Sequence, residues 1–382
     1  MSHIAFLNIP GHGHVNPTLP VVAELVARGH RVTYAVPAGF APQVAHAGAE
    51  PVAYRTVLPA EEGDWPMDAA GAMGLFLAEA RQVLPQLAQS YVDDQPDLVV
   101  YDIGAWTARV LARRWGVPAI QFSPTHVAYE GWEEDMGVNP DEPAIAAFYA
   151  ELAEWLREQD VEVPAPAFVS DPDSAVVSIP RAFQFRGDRV HPKYTFVGPC
   201  LDDRSHQGGW APPDDRPVLL VSLGSAYTDR PEFYRRCLEA ARGLDWHVVI
   251  AIGRHVSEED LGDVPPNVEL RAWVPQLAIL AHATVFVTHC GMGGTMEGLH
   301  HGVPMIGVPT LGEQVMNAER LVELGVGRHL PHDRVTAAGL REAVLELAAD
   351  RDVAARLAAL RADIRAAGGT RAAADVVEAA LR

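Results

Sequence analysis

Short apolar runs rich in β-branched residues alternate along this chain with longer segments whose apolar residues recur at helical spacing. The opening predicts a strand over 3–9, a loop over 10–16, a helix over 17–29 and a strand over 31–36. Pro17 suits a first helical turn, and Gly29 suits a helix end. The rhythm returns with a strand over 97–101, a helix over 105–115 and a strand over 117–122. An aromatic and acidic stretch over 123–170 interrupts it, with one helical segment near 142–159. Polar residues with paired glycines and prolines fill 200–216, the composition of a linker. A second series places strands over 218–223, 247–252, 268–270, 285–288 and 305–308, and the C-terminal tail reads as helix rich in Ala, Arg and Glu. Strand–helix alternation of this kind predicts the α/β class, with doubly wound parallel sheets that bind ligands at the carboxyl ends of their strands. The expected division is a domain over 1–205, a linker over 206–216 and a domain over 217–382, the last helix being a candidate to pack back on the first domain.

Bulk properties narrow the partners. With 382 residues, 48% hydrophobic and 21% charged, the chain has the composition of a globular protein of two domains. A formal charge of −20 argues against nucleic acid or an anionic membrane as partner. Cys200, Cys237 and Cys290 are odd in number and show neither a CxxC nor a metal-ligand spacing, which predicts a reduced, cytoplasmic protein. The apolar run over 4–9 is too short for a signal peptide, and no stretch approaches the length of a membrane span. Monomer and homodimer are equally compatible with the sequence.

Residues 273–314 concentrate the binding chemistry. The run over 285–288 reads as a strand, His289 to Gly294 as a glycine loop, and Thr295 as the start of a helix. Such a loop directs unpaired backbone N–H groups and a positive helix end at one point, as a diphosphate requires. That helix end matters in an acidic protein, because it attracts an anion without net positive charge. Gly291, Gly293 and Gly294 form the loop, and His289 and Thr295 flank it with further donors. Glu297 lies one turn into the helix, where a carboxylate can bind a pair of ribose hydroxyls. Trp273, with its neighbours Val274 and Gln276, offers a flat apolar face and an amide to a nucleobase. Glu313 and Gln314 are placed to reach sugar hydroxyls. Ser222 and Ser225, at the end of the first strand of the second series, are candidate phosphate contacts.

This block resembles the donor-binding signature of the family of glycosyltransferases that move sugars from UDP-sugars onto small lipophilic acceptors. Trp-x-Pro-Gln, His-Cys-Gly, Glu-Gly, Gly-Val-Pro and an acidic residue before Gln all stand here. The resemblance implies that Trp273 stacks on uracil, His289 and Thr295 hold the diphosphate, Glu297 the ribose, and Glu313 and Gln314 the hexose. Plant members usually carry Trp-Asn-Ser after His-Cys-Gly, whereas this chain has Met292-Gly293-Gly294, so the Gly294 N–H would replace a side-chain donor. The resemblance also implies the GT-B architecture, two doubly wound Rossmann-like domains facing each other across a cleft.

The first loop, over 8–17, carries His12 and His14 at the carboxyl end of the first strand. A neutral imidazole that takes the proton of an attacking hydroxyl contributes about 10²–10⁴-fold. A carboxylate on its other nitrogen fixes the tautomer and stabilises the imidazolium. Asp102, at the end of the strand over 98–101, stands at the equivalent edge; it could also cap the helix that follows. Family members carry Gly-His-x-Asn-Pro in this loop, which matches Gly13 to Pro17 and implies His14 as the base, with Asp102 its partner and His12 unassigned.

The acceptor side is read from apolar and aromatic residues of the N-terminal half: Trp65, Met67, Met73, Phe76, Trp106, Phe122, Tyr129 and Trp132 are candidates for a lipophilic pocket. Glu130, Glu133, Glu134 and Asp135 beside them read as a solvated loop or, alternatively, as an attraction for a cationic acceptor. Asp171-Pro-Asp173 has a metal-binding form but reads better as a turn, and no metal or other cofactor is expected. Over nearly its whole length the chain also resembles bacterial macrolide glucosyltransferases of the oleandomycin-inactivating type, through segments such as Val26 to Tyr34, Asp97 to Ile103 and Gly368 to Asp375. The expectation is an inverting, metal-independent hexosyltransferase that moves glucose from UDP-glucose to a hydroxyl of a macrolide-like or other lipophilic natural product, in antibiotic inactivation. The alternatives are a transferase using a TDP-deoxysugar in antibiotic biosynthesis, an epimerase or hydrolase acting on the sugar nucleotide, and a binding protein without transferase activity.

Overall fold

The computed structural model describes the chain apart from residues 60–64, 67, 136–138, 140, 203, 205–206, 225–227, 311 and 382. It divides into two compact units, one made of Met1–Cys200 with Ala367–Arg382, the other of Leu201–Ala366.

The first unit holds a parallel seven-stranded sheet of β1 (His3–Leu7), β2 (Arg31–Val36), β3 (Glu50–Ala53), β4 (Leu98–Asp102), β5 (Ala119–Ser123), β6 (Ala175–Val177) and β7 (Tyr194–Phe196), in the order β3-β2-β1-β4-β5-β6-β7. Its strands are apolar on both faces. Ala5, Leu7, Val99 and Tyr101 join one buried cluster with Leu77, Val83 and Leu87 of the helix Ala69–Ser90. Ile4, Phe6, Leu98 and Val100 join another with Val21, Val22 and Leu25 of the helix Leu19–Ala27. Period-two alternation thus serves two cores, as a parallel sheet covered on both sides requires. The C-terminal helix Gly369–Ala379 completes the second cluster with Ala373, Ala374 and Val377. Arg28 pairs with its Asp375 (2.6 Å) and Glu378 (2.7 Å).

The second unit holds a parallel six-stranded sheet of β8 (Val218–Ser222), β9 (His247–Ala251), β10 (Val268–Arg271), β11 (Ala283–Thr288), β12 (Met305–Gly307) and β13 (Gly327–His329), in the order β10-β9-β8-β11-β12-β13. Trp210, in the polar segment that precedes β8, packs its ring 5.8 Å from that of His247 and donates to Glu269 (3.4 Å). Among the described residues no helix is long and apolar enough to cross a membrane.

In each sheet the strand order reverses once, between β1 and β4 and between β8 and β11. Ligands of open α/β sheets bind beyond the carboxyl ends of strands at such points. The loops there differ from expectation in two ways. The loop over 10–16 contains a one-turn helix, His12–Val15, and the following helix starts at Leu19 rather than Pro17. Val15 is fully buried and its carbonyl accepts the Thr18 hydroxyl (2.7 Å), so the turn is pinned at its C-terminal end. In the second unit the helix Met292–His301 begins within the glycine stretch, which places Gly293 and Gly294 in its first turn.

Candidate functional site

Asn8, directly after β1, organises the first loop. Its amide donates to the His14 carbonyl (3.0 Å) and to the Tyr34 hydroxyl (2.7 Å). Held this way, the short helix presents His14, whose Nδ1 lies 2.7 Å from Asp102 Oδ2. Asp102 is 2% exposed, and its Oδ1 accepts the Gly104 N–H (2.8 Å). The helix Trp106–Trp115 has Ala105 at its cap without a side-chain bond, so Asp102 closes a tight turn instead of capping. A Cβ on Gly104 would lie 2.9 Å from the Phe76 ring, which reserves this turn for glycine. An ionised Asp102 accepts from Nδ1–H, making Nε2 the proton acceptor of the ring. About a third of the His14 side chain is exposed, so the ring is reachable from solvent. His12 turns the other way, against the Phe40 ring at 5.0 Å.

The expected acceptor residues fall into separate places. Trp65, Phe76, Trp106 and Phe148 form a chain of rings with centroids 5.8, 5.9 and 6.0 Å apart, and half-buried Met73 packs on the same cluster. Trp106 itself is buried and lines a cavity of about 20 Å³, room for one water. Phe122 does not belong to a pocket: at 1% exposure it is core, because its position on β5 points into the cluster behind the sheet. Tyr129 and Trp132 line a different, open cavity of about 500 Å³ with Glu130, Glu133, Asp171 and Arg189. This wall is not purely acidic, since His191 and Lys193 also face the cavity and Asp135 pairs with Arg186 (3.5 Å). Asp171 pairs with Lys193. Met67 lies outside the described residues.

In the second unit Cys290 adopts a left-handed φ of 62°, and its carbonyl accepts from the buried Asn317 amide (3.0 Å). The His289 ring sits between two glycine backbones: a Cβ on Gly291 would approach its Nε2 to 2.4 Å, and one on Gly224 its Cε1 to 2.6 Å. Burial lowers the His289 pKa to about 4, so the ring is neutral near pH 7 and acts as an N–H donor, not a cation. Its Nδ1 is buried and meets no partner among the described residues. The N–H groups of Met292, Gly293 and Gly294, in the first turn, have no acceptor within the helix and stand at its positive end. Ser222 is buried at the end of β8 and accepts the Gly224 N–H (3.4 Å), while Ser225 lies outside the described residues.

Two expected contacts are directed elsewhere. Thr295 is fully buried, and its hydroxyl donates to the Gly291 carbonyl (3.0 Å), so it shapes the loop from inside instead of facing a phosphate. Gln276, expected at the nucleobase, donates to Glu297 Oε2 at 2.6 Å. The other Glu297 oxygen takes Arg204 Nη1 at 2.7 Å, a partner 93 residues away. Trp273 exposes 56% of its surface, as a stacking platform would, whereas Val274 is buried beneath it in sequence. Glu313 is exposed at the start of the helix Gly312–Glu323. Gln314 is buried, and its carbonyl accepts both the N–H and the hydroxyl of Thr310 (3.0 Å each). Asn8, Asn317 and Arg204 were not anticipated. Asn8 was visible as a polar residue ending an apolar run, but Asn317 and Arg204 lie in polar surroundings with nothing local to distinguish them.

Comparison with known proteins shows the family and the fold. The model of the erythromycin biosynthesis protein CIII-like C-terminal domain matches residues 235–379. Oleandomycin glycosyltransferase of Streptomyces antibioticus is 49% identical over 391 residues, covering 100% of this chain and 91% of its own. The NDP-glycosyltransferase YjiC of Bacillus subtilis strain 168 is 36% identical over 393 residues, covering 100% and 97%. The crystal structure of the glycotransferase of kitacinnamycin superposes with a TM-score of 0.92 at 46% identity, covering 100% of this chain and 99% of that one.

Proposed function

The chain belongs to glycosyltransferase family 1, and from that premise we propose that it transfers a hexose, glucose from UDP-glucose, to a hydroxyl of a macrolide-like or other lipophilic natural product. The observation that carries this reading is the His14–Asp102 pair at 2.7 Å, at the point where the strand order of the first sheet reverses. In the proposed reaction, His14 Nε2 takes the acceptor's proton as its oxygen bonds to the anomeric carbon of the hexose. The bond from that carbon to the diphosphate oxygen breaks, its electron pair leaves with UDP, and a single displacement inverts the anomeric centre. Asp102 holds the imidazolium that results.

The donor's partners are assigned in the second unit. Trp273 stacks on the base, Glu297 takes the ribose, and Glu313 with Gln314 takes the hexose. The N–H groups of Met292 to Gly294 and the neutral His289 bind the diphosphate and stabilise the charge that develops on it. Backbone and helix-end donors provide this stabilisation without a divalent cation. The aromatic row of Trp65, Phe76 and Trp106, with Met73, borders the dyad through Gly104 and supplies apolar surface for the acceptor. The physiological role that fits such an acceptor is inactivation of an antibiotic.

The test is turnover of UDP-glucose with a panel of macrolides in excess EDTA, products read by mass. A glucosylated macrolide is the expected product. Turnover only with TDP-deoxysugars would move the enzyme to antibiotic assembly, and consumption of donor without acceptor would make it a hydrolase. Strict dependence on added Mg²⁺ or Mn²⁺ would overturn the metal-free mechanism.

A further inference from the structure

Glu297 is 5% exposed, and each carboxylate oxygen already has a partner: Arg204 Nη1 at 2.7 Å on Oε1 and Gln276 Nε2 at 2.6 Å on Oε2. Each carboxylate oxygen has two lone pairs, so a single hydroxyl can share Oε2 with Gln276, but a carboxylate this enclosed has room for two hydroxyls only if a partner leaves. Gln276 is fixed at the start of the helix Gln276–Leu280, packed beside the helix that carries Glu297. Arg204 stands on irregular chain with a φ of +42°, a conformation non-glycine residues adopt rarely. Its Nε also lies 3.8 Å from Asp202, so a guanidinium leaving Glu297 keeps a local carboxylate partner. Arg204 is the contact that can yield.

We infer that Arg204 is a specificity-determining residue of the donor site, its guanidinium occupying on Glu297 the place of a nucleotide's ribose. This rests on the reading of Glu297 as the ribose acceptor. A ribose offers two adjacent hydroxyl donors, one sharing Oε2 with Gln276 and one taking Oε1, and so expels Arg204. A 2′-deoxyribose offers one hydroxyl, which shares Oε2 with Gln276 and leaves Arg204 in place. Expulsion offsets the gain from the second hydroxyl, so the enzyme discriminates weakly between ribo- and deoxyribonucleotide donors. The energetic logic is that of a buried charge, which is held paired until a ligand can replace the partner.

The experiment is isothermal titration calorimetry of UDP and 2′-deoxy-UDP against the full-length enzyme, Arg204→Met and Glu297→Ala. In the wild type the two affinities should lie within about threefold. Arg204→Met should widen the ratio to about tenfold or more, through tighter UDP with 2′-deoxy-UDP little changed, the size of one hydrogen bond to a charged group. Any effect of the lost charge that is common to both ligands cancels in the ratio, which isolates the ribose contact, so the ratio and not either affinity alone is the readout. An unchanged ratio in Arg204→Met overturns the inference, as does a parallel weakening of both ligands. Should Arg204→Met fail to fold, Arg204→Lys retains the charge with a weaker hold and should move the ratio in the same direction by a smaller step; no movement overturns the inference. Glu297→Ala separates the two levels. Unaltered UDP affinity there removes Glu297 from the donor site and the underlying reading falls, whereas a loss of about tenfold or more together with a flat Arg204→Met ratio removes Arg204 alone.

Discussion

The two loops at the points of strand reversal are built alike and prepared differently. Each follows a central strand, and each is tied by a buried asparagine amide to a backbone carbonyl, Asn8 to His14 and Asn317 to Cys290. In the first unit the tie presents an imidazole already oriented by a buried carboxylate, both of whose oxygens are engaged. In the second it presents a neutral imidazole and a helix end, while the nearby carboxylate is clasped by the protein's own arginine. The proposed roles account for the difference: a proton acceptor must hold its tautomer and direction before substrate arrives, so its partner is permanent. A group that binds a ligand reversibly needs a partner it can exchange, because a buried charge without one is costly.

Substitutions can break this contrast, and the dyad should show the largest effect. His14→Ala should lower kcat by about 100-fold or more with UDP affinity nearly unchanged, since general-base catalysis contributes about 10²–10⁴. Steady-state kinetics beside UDP titration measure both, and near-normal turnover would remove His14 from the role. Asp102→Asn is the next largest. The asparagine oxygen can still accept the Gly104 N–H, so thermal stability should hold. Its amide would donate to Nδ1, push the ring proton to Nε2 and lower kcat by about ten- to a hundredfold. A variant equally impaired in folding and turnover would make Asp102 a purely structural residue.

Gly291→Ala tests the other loop. Its Cβ would meet His289 Nε2 at 2.4 Å, so the ring must move. UDP affinity should fall about tenfold, the scale of one lost hydrogen bond to a charged group. Unchanged UDP affinity would show that the position of the ring is irrelevant to the donor. The smallest effect concerns pH. Burial holds the folded-state His289 pKa at about 4, below the ordinary 6.5, so the unfolded chain takes up the proton first as pH falls. Stability from this residue is largely present above about pH 6.5 and declines toward about pH 4, by about 1 kcal/mol between about pH 6.5 and about pH 5.5. Urea unfolding across that range should show a slope that flattens in His289→Asn; an identical slope would dismiss His289 as the source.

Much of this was legible along the chain because the signals are local. Period-two apolar runs, helix-period segments and glycine turns announce strand and helix from a few adjacent residues, and the resulting order of elements already implies parallel, doubly wound sheets. The histidine and carboxylate at two strand ends were legible for the same reason: a strand's carboxyl end is a position in the sequence as well as in space. At the two site loops the element limits differed from expectation because Val15 and the glycines over 291–294 serve tertiary packing and capping that no periodicity encodes.

What the sequence by itself determined, then, is the type and order of the central strands with the helices beside them and the residues at those strands' ends, since these follow from short-range pattern. Short outer strands such as Glu50–Ala53 and Gly327–His329 and the helix Ala69–Ser90 were not read from it. The tertiary structure decided which way individual side chains face. Strands apolar on both sides carry no mark of which face adjoins a cavity, so Phe122 could be assigned to the core only once its neighbours were in place. Thr295 reads as an available hydroxyl until the loop folds over it. Tyr129 and Trp132 read with the other aromatics until the chain takes them to a separate cavity. The pairing of Arg204 with Glu297 joins residues 93 positions apart, and such a contact exists only when folding has brought two unrelated segments together.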